Sequence, residues 1–185
     1  MRPAAVLVLF GALGGTGGHG PADVDVLLVE RAASLGHHPG QIAFPGGRLD
    51  PGDDGPVGAA LREAQEETGL DPLGVEVVGT LAGLPLAVSN HVVTPVIGWW
   101  ARPSPVGVVD HGECAAVFRV PVSELLDPAN RRLARVTRGA VALDTPGFLV
   151  AGRIVWGFTG IVLDRVLDGL GWTVPWEHRP LDIPI

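Results

Sequence analysis

Three glutamates, Glu63, Glu66 and Glu67, crowd into the stretch Arg62-Glu63-Ala64-Gln65-Glu66-Glu67-Thr68-Gly69-Leu70. On an α-helix, at about 100° per residue, they fall within an arc of roughly 100°. Val57, Ala60, Leu61, Ala64 and Thr68 share the other side, so one face packs and the other presents acid. Gathered carboxylates repel one another unless a positive charge lies between them. A hard divalent cation such as Mg²⁺ or Mn²⁺ prefers such oxygen ligands. The plainer alternative is a solvated acidic face in which Arg62 pairs with Glu66 at i,i+4, worth a few tenths of a kcal/mol. Gly69 follows the last helical turn and supplies the left-handed residue that stops it.

A helix of this kind needs elements that hold it. Upstream, Val6 to Phe10 reads as a buried strand and Val24 to Glu30 as a second. Residues 37–48 form a loop containing Gly40, Pro45, Gly46 and Gly47, and Asp50 to Gly58 is a turn-rich connection into the acidic helix. Downstream, Val75 to Leu81, Val92 to Trp100 and Ala115 to Val120 look like strands, with a short helical turn at Pro121 to Leu126. Ala140 to Leu143 and Phe148 to Val150 suggest a hairpin around Asp144 to Gly147. Val155 to Leu170 has helical periodicity. Pro103 to Gly112 is expected to be a flexible, exposed loop. Strands with two principal helices predict an α+β fold, a mixed β-sheet covered by helices, in one domain spanning residues 1–185.

Composition narrows the function. The net charge of −7 argues against non-specific binding of nucleic acid or an anionic membrane. It does not exclude an anionic small molecule, because a bound metal reverses the local field. Lysine is absent, which excludes a Walker-type phosphate loop and lysine Schiff-base chemistry. Cys114, the single cysteine, allows no intramolecular disulfide and fits a reducing, cytoplasmic compartment. The apolar excess makes a homodimer an expectation. Met1-Arg2 with Ala4 to Leu13 has the outline of a short signal peptide, but the run is brief and no small-x-small cleavage site follows.

The glycines, the acidic helix and their spacing resemble the Nudix hydrolases. Arg62, Glu63, Ala64, Glu66, Glu67, Gly69 and Leu70 fill the second half of the family's motif, over about residues 46–70. The first half is one residue longer than the commonest form, and Asp53 or Asp54 stands where many members carry glutamate. Leu27-Leu28-Val29-Glu30-Arg31-Ala32 and Gly40-Gln41-Ile42-Ala43-Phe44-Pro45-Gly46-Gly47 are similar to the segment ahead of that motif in coenzyme A pyrophosphatases. Val29 and Gly36 depart from that subfamily, which usually has Thr and Arg there.

The resemblance implies an α/β/α sandwich and metal-dependent cleavage of a diphosphate, with coenzyme A giving 3′,5′-ADP and 4′-phosphopantetheine. Other nucleoside diphosphate derivatives (dinucleotides, nucleotide sugars) and a non-catalytic nucleotide-binding module are the alternatives. Glu63, Glu66 and Glu67 would hold Mg²⁺ or Mn²⁺, with the Gly47 carbonyl as a further ligand. Arg62 would orient Glu66 or a neighbouring carboxylate. Glu113, ahead of a strand, is a ligand or base, or else a loop-edge glutamate. Arg31 and Arg48 are candidates for substrate phosphates, Phe44 for packing against the ligand, and His37 and His38 for compensating the missing arginine. Surface charge, core packing and ordinary loop histidines are their respective alternatives.

Overall fold

The structure is a computed structural model that describes residues 1–15, 20–34, 40–86 and 89–184. In chain order the strands of the first half are β1 (Arg2–Ala12), β2 (Val24–Arg31), β3 (Ile42–Ala43) and β4 (Gly46–Arg48). Helix α1 (Gly55–Thr68) follows, then β5 (Val75–Thr80), β6 (Leu84–Leu86), β7 (His91–Trp100) and β8 (Cys114–Pro121). The second half adds α2 (Val122–Leu126), β9 (Arg131–Arg138), β10 (Val141–Val150), β11 (Arg153–Val155), α3 (Gly157–Gly169) and β12 (Pro180–Asp182).

One sheet runs β3-β2-β1-β7-β5, with β4 also on β1, β6 on β7 and β8 on β2. It is mixed: β1 and β7 are parallel over Arg2 to Gly11, while β2 and β4 lie antiparallel to β1. Strand β1 is apolar at nearly every position because both of its faces are covered. Leu7 and Leu9 point to one side, where Ala59, Ala60 and Ala64 of α1 pack. Val8 and Phe10 point to the other, against Val162, Leu163 and Leu167 of α3. The alternation that makes a strand thus builds two cores, and the expected mixed sheet between helices is what forms. Among the described residues no helix is long and apolar enough to cross a membrane.

A second sheet, β11-β10-β9-β12, packs Phe148 and Val150 into the α3-side core. Here the expected hairpin is corrected. Val141–Val150 is one continuous strand, and the chain reverses instead around Gly139, whose φ of 60° suits a tight turn. Asp144 to Gly147 carries turn-forming residue types, yet it pairs across to Arg132 to Arg135. Arg135 clamps both carboxylate oxygens of Asp144 at 2.7 Å, so cross-strand pairing overrides local turn propensity.

Candidate active site

Helix α1 presents its acids to a glycine-lined edge of the first sheet. Its apolar face seats three fully buried alanines, small enough to bring the helix close to β1. Gly69 ends it in the left-handed conformation (φ 73°), its N–H donating to the Gln65 carbonyl. The close approach buries Glu67, which is 6% exposed. Its Oε2 accepts a hydrogen bond of 3.0 Å from the Gly46 N–H. Gly46 has φ 156°, and a Cβ there would collide with the Ala5 carbonyl and lie 2.6 Å from Val6 Cα. A Cβ on Gly47 would fall on the Glu63 carboxylate. The two glycines are therefore what allows strand β4 and the acids to touch.

Arg62 organises the solvent side. Its Nε and one terminal nitrogen bond both oxygens of Asp53 at 2.9 Å. The other terminal nitrogen reaches Glu63 Oε1 and Glu66 Oε2, each at 3.1 Å. A further bond of 3.0 Å goes to the Arg48 carbonyl. The Arg62 guanidinium holds Asp53 well below the usual carboxylate range, at about 2. Of Asp53 and Asp54, it is thus Asp53 that belongs to the site, with Asp50 at its edge, 3.7 Å from Arg62. Asp54 sits at the helix N-cap and makes no side-chain cap bond.

The buried end has the opposite electrostatics. Burial pushes the Glu67 carboxyl up to about 7; the charges of Glu63 and Glu113 add to this, while Gly46 and Arg31 oppose it. Glu63 is raised for the same principal reason, desolvation, against the pull of Arg62. Cys114, buried beside this group, is pushed up to about 11, chiefly by burial. Arg31 follows a register shift in the pairing of β2 with β8. Its Nε is enclosed and lacks a hydrogen-bond partner among the described residues.

The structure therefore brings together Glu63, Glu66, Glu67, Arg62, Gly47, Glu113 and Arg31. It does not treat the three glutamates alike, as a single acidic face implied. The Glu66 side chain is 57% exposed and tied to Arg62, whereas Glu63 and Glu67 turn inward. Arg48 is exposed and contributes its carbonyl. Phe44 is buried in the α3-side core, at 3% exposure, so its ring packs there and the ligand-packing expectation gives way to core packing. His37 and His38, with Gly36, lie outside the described residues. Sequence reasoning left two features without a role. One is the clamp from Asp53 to Arg62, signalled only by the acid-rich connection. The other is Asp110, in the segment expected to be flexible. That segment is anchored on α1: Gly107 and Val109 donate to the carbonyls of Thr68 (2.9 Å) and Glu67 (3.4 Å).

Among the described residues no three His, Cys, Asp or Glu side chains stand as a ready-made metal cage. The donor set nonetheless fits a hard cation. Glu63 lies against the Gly47 backbone, the Gly46 N–H orients Glu67, and both carboxyls carry raised pKa values that a cation between them would relieve.

Comparison with known proteins agrees with this geometry. The NUDIX domain model matches residues 1–140, and the chain belongs to the Nudix hydrolase family. These enzymes cleave diphosphate bonds and generally use divalent metal ions. A relative in Salmonella newport, called uncharacterized Nudix hydrolase NudL, is 43% identical over 146 residues, covering 79% of this chain and 75% of its own. Its namesake in Photorhabdus laumondii is 34% identical over 144 residues, covering 76% and 74%. Among solved structures, the Mycobacterium smegmatis (M. Smegmatis) Nudix hydrolase RenU shares the fold, with TM-score 0.60 and 23% identity over 96% of this chain and 90% of that one.

Proposed function

We propose that this chain hydrolyses coenzyme A, giving 3′,5′-ADP and 4′-phosphopantetheine, at the site built by Glu63, Glu66, Glu67 and Gly47. The observation that carries the reading is the contact of the Gly46-Gly47 backbone with Glu67 and Glu63. It joins the segment resembling coenzyme A pyrophosphatases directly to the acids. The departure at Val29 weighs little against it. Val29 is 1% exposed and pairs with Ala43 and Val117, so a Thr-to-Val difference there changes packing and not a ligand contact.

Glu63, Glu67 and the Gly47 carbonyl would hold Mg²⁺ or Mn²⁺, with Glu66 recruited from Arg62. When bound, the metal neutralises phosphate oxygens and lowers the pKa of an attacking water. The protein's own groups do the rest. Arg62, anchored by Asp53 and the Arg48 carbonyl, fixes the rotamers of Glu63 and Glu66. Gly46 holds Glu67 at a set position. Arg31, half-buried and close enough for its charge to act on Glu67, would bring a guanidinium to a substrate phosphate. Glu113 stands at the exposed rim, where a carboxylate can accept a proton from water.

The test is an assay of coenzyme A and a panel of nucleoside diphosphate derivatives with Mg²⁺ or Mn²⁺, beside Glu67→Gln. Release of 3′,5′-ADP that disappears in the variant is the expected result. Turnover of other diphosphates alone would replace the substrate and keep the chemistry. Tight nucleotide binding without metal-dependent turnover would overturn the enzymatic reading of these acids.

A further inference from the structure

We propose that Asp110 is a positioning residue of this site: it builds the turn that delivers Glu113 to the side of Glu63 and Glu67. The proposal rests on the reading of those acids as the diphosphate-cleaving centre. Glu113 is exposed, so side-chain packing does not fix it and its direction depends on its main chain. That main chain is held from Asp110. The Asp110 Oδ1 accepts the Gly112 N–H at 2.7 Å, and the Asp110 carbonyl accepts the N–H groups of Glu113 at 3.1 Å and Cys114 at 2.9 Å.

Both sides of the turn are registered on the catalytic elements. Ahead of it, Gly107 N–H donates to the Thr68 carbonyl at 2.9 Å and Val109 N–H to the Glu67 carbonyl at 3.4 Å, which seats the segment on the last turn of α1. After it, the Ala32 N–H donates to the Glu113 carbonyl at 2.8 Å, locking Glu113 beside Arg31 at the end of β2. The segment between Val109 and Cys114 contains no helix or strand, so the Asp110 bonds replace the regular ladder there. At Gly112 a Cβ would approach Asp110 Oδ1 to 3.0 Å, so the turn closes tightly around this carboxylate. A short chain tethered to the carbonyls of Glu67 and Thr68 at one end therefore carries Glu113 at the other. Asp110 sets the geometry between them without touching the reacting atoms.

The test is steady-state kinetics, with Mg²⁺, on the diphosphate that the wild-type chain turns over. Glu113→Gln should lower kcat on the order of 100-fold, as for a displaced general base. Asp110→Ala should lower kcat on the order of 10-fold with KM within about twofold, the signature of a misaligned group. Asp110→Asn keeps the Oδ1 acceptor and should recover most of the loss, and Asp110→Ala should add nothing in the Glu113→Gln background. Wild-type rates in Asp110→Ala, equal damage from Ala and Asn, an effect confined to KM, or losses that multiply in the double variant would each overturn the proposal. A silent Glu113→Gln in an enzyme that Glu67→Gln inactivates would overturn it too, while leaving the reading of Glu63 and Glu67 in place. A wild-type chain inert towards every diphosphate would remove that reading and the proposal together.

Discussion

Replacing Glu67 by glutamine should stabilise the metal-free protein while abolishing turnover. Glu67 is 6% exposed, and its carboxyl is pushed from 4.5 up to about 7, mainly by burial. A raised pKa in the folded state means that folding favours the protonated form. Its stabilising contribution is complete below pH 4.5 and is lost as pH rises through about 7. At about 1.4 kcal/mol per pH unit, the difference between those two values amounts to about 3 kcal/mol. Glutamine is neutral at every pH and keeps an oxygen for the Gly46 N–H. The variant should therefore match the wild type near pH 5 and exceed it by about 3 kcal/mol at pH 8. For a chain of this length that is about 6–12 °C in Tm. Thermal melts in chelator at pH 5 and pH 8 measure both points. Adding Mg²⁺ at pH 8 should stabilise the wild type and narrow the gap, because a ligand that binds the native state raises its stability. A gap that is absent at pH 8, reversed there, or equally large at pH 5 would refute the assignment of Glu67 as a buried carboxylate held for a cation.

Three further outcomes follow from the geometry. Asp53, lowered to about 2 by Arg62, contributes stability above pH 3.8 that is lost as pH falls through about 2; Asp53→Asn should flatten that part of an acid-unfolding curve and destabilise the protein at neutral pH. Gly46→Ala puts a Cβ into the Ala5 carbonyl at φ 156° and should destabilise by about 3 kcal/mol in chemical denaturation; a loss below about 1 kcal/mol would contradict the close contact of β4 with β1. Arg31→Ala should raise KM for the diphosphate by at least about tenfold with kcat less affected, since it removes a half-buried guanidinium beside Glu67 whose charged hydrogen bond to a phosphate would be worth about 1.5–3 kcal/mol; unchanged KM would assign Arg31 to the fold.

The acidic helix and its stop at Gly69 were legible because both are local: amphipathic spacing and a left-handed glycine at the end. Its start was not, because Gly55 to Gly58, expected in the connecting turn, form its first turn. Strand β1 was legible because a strand buried on both faces reads as an unbroken apolar run. The second sheet was less so. Arg131 to Arg138 is rich in charge, and its strand forms through partners distant in sequence, with Arg131 stacked between Phe148 at 4.3 Å and Trp176 at 4.5 Å and paired with Asp164 of α3. The segment before Glu113 is the exposed loop that its glycines and prolines predict, but they report nothing of its attachment to the carbonyls at the end of α1, which is a contact distant in sequence.

The residue types and spacing alone determined that three carboxylates share a helix, that glycines precede them, and that the chain carries oxygen-donor chemistry suited to a hard cation. Only the tertiary structure decided how those carboxylates differ. Burial against β4 raises Glu67, a guanidinium holds Glu66 at the surface, and Asp53 instead of Asp54 completes the clamp. The physical reason is that helical periodicity fixes direction around an axis. Desolvation and charge pairing depend on what the rest of the fold places against each face.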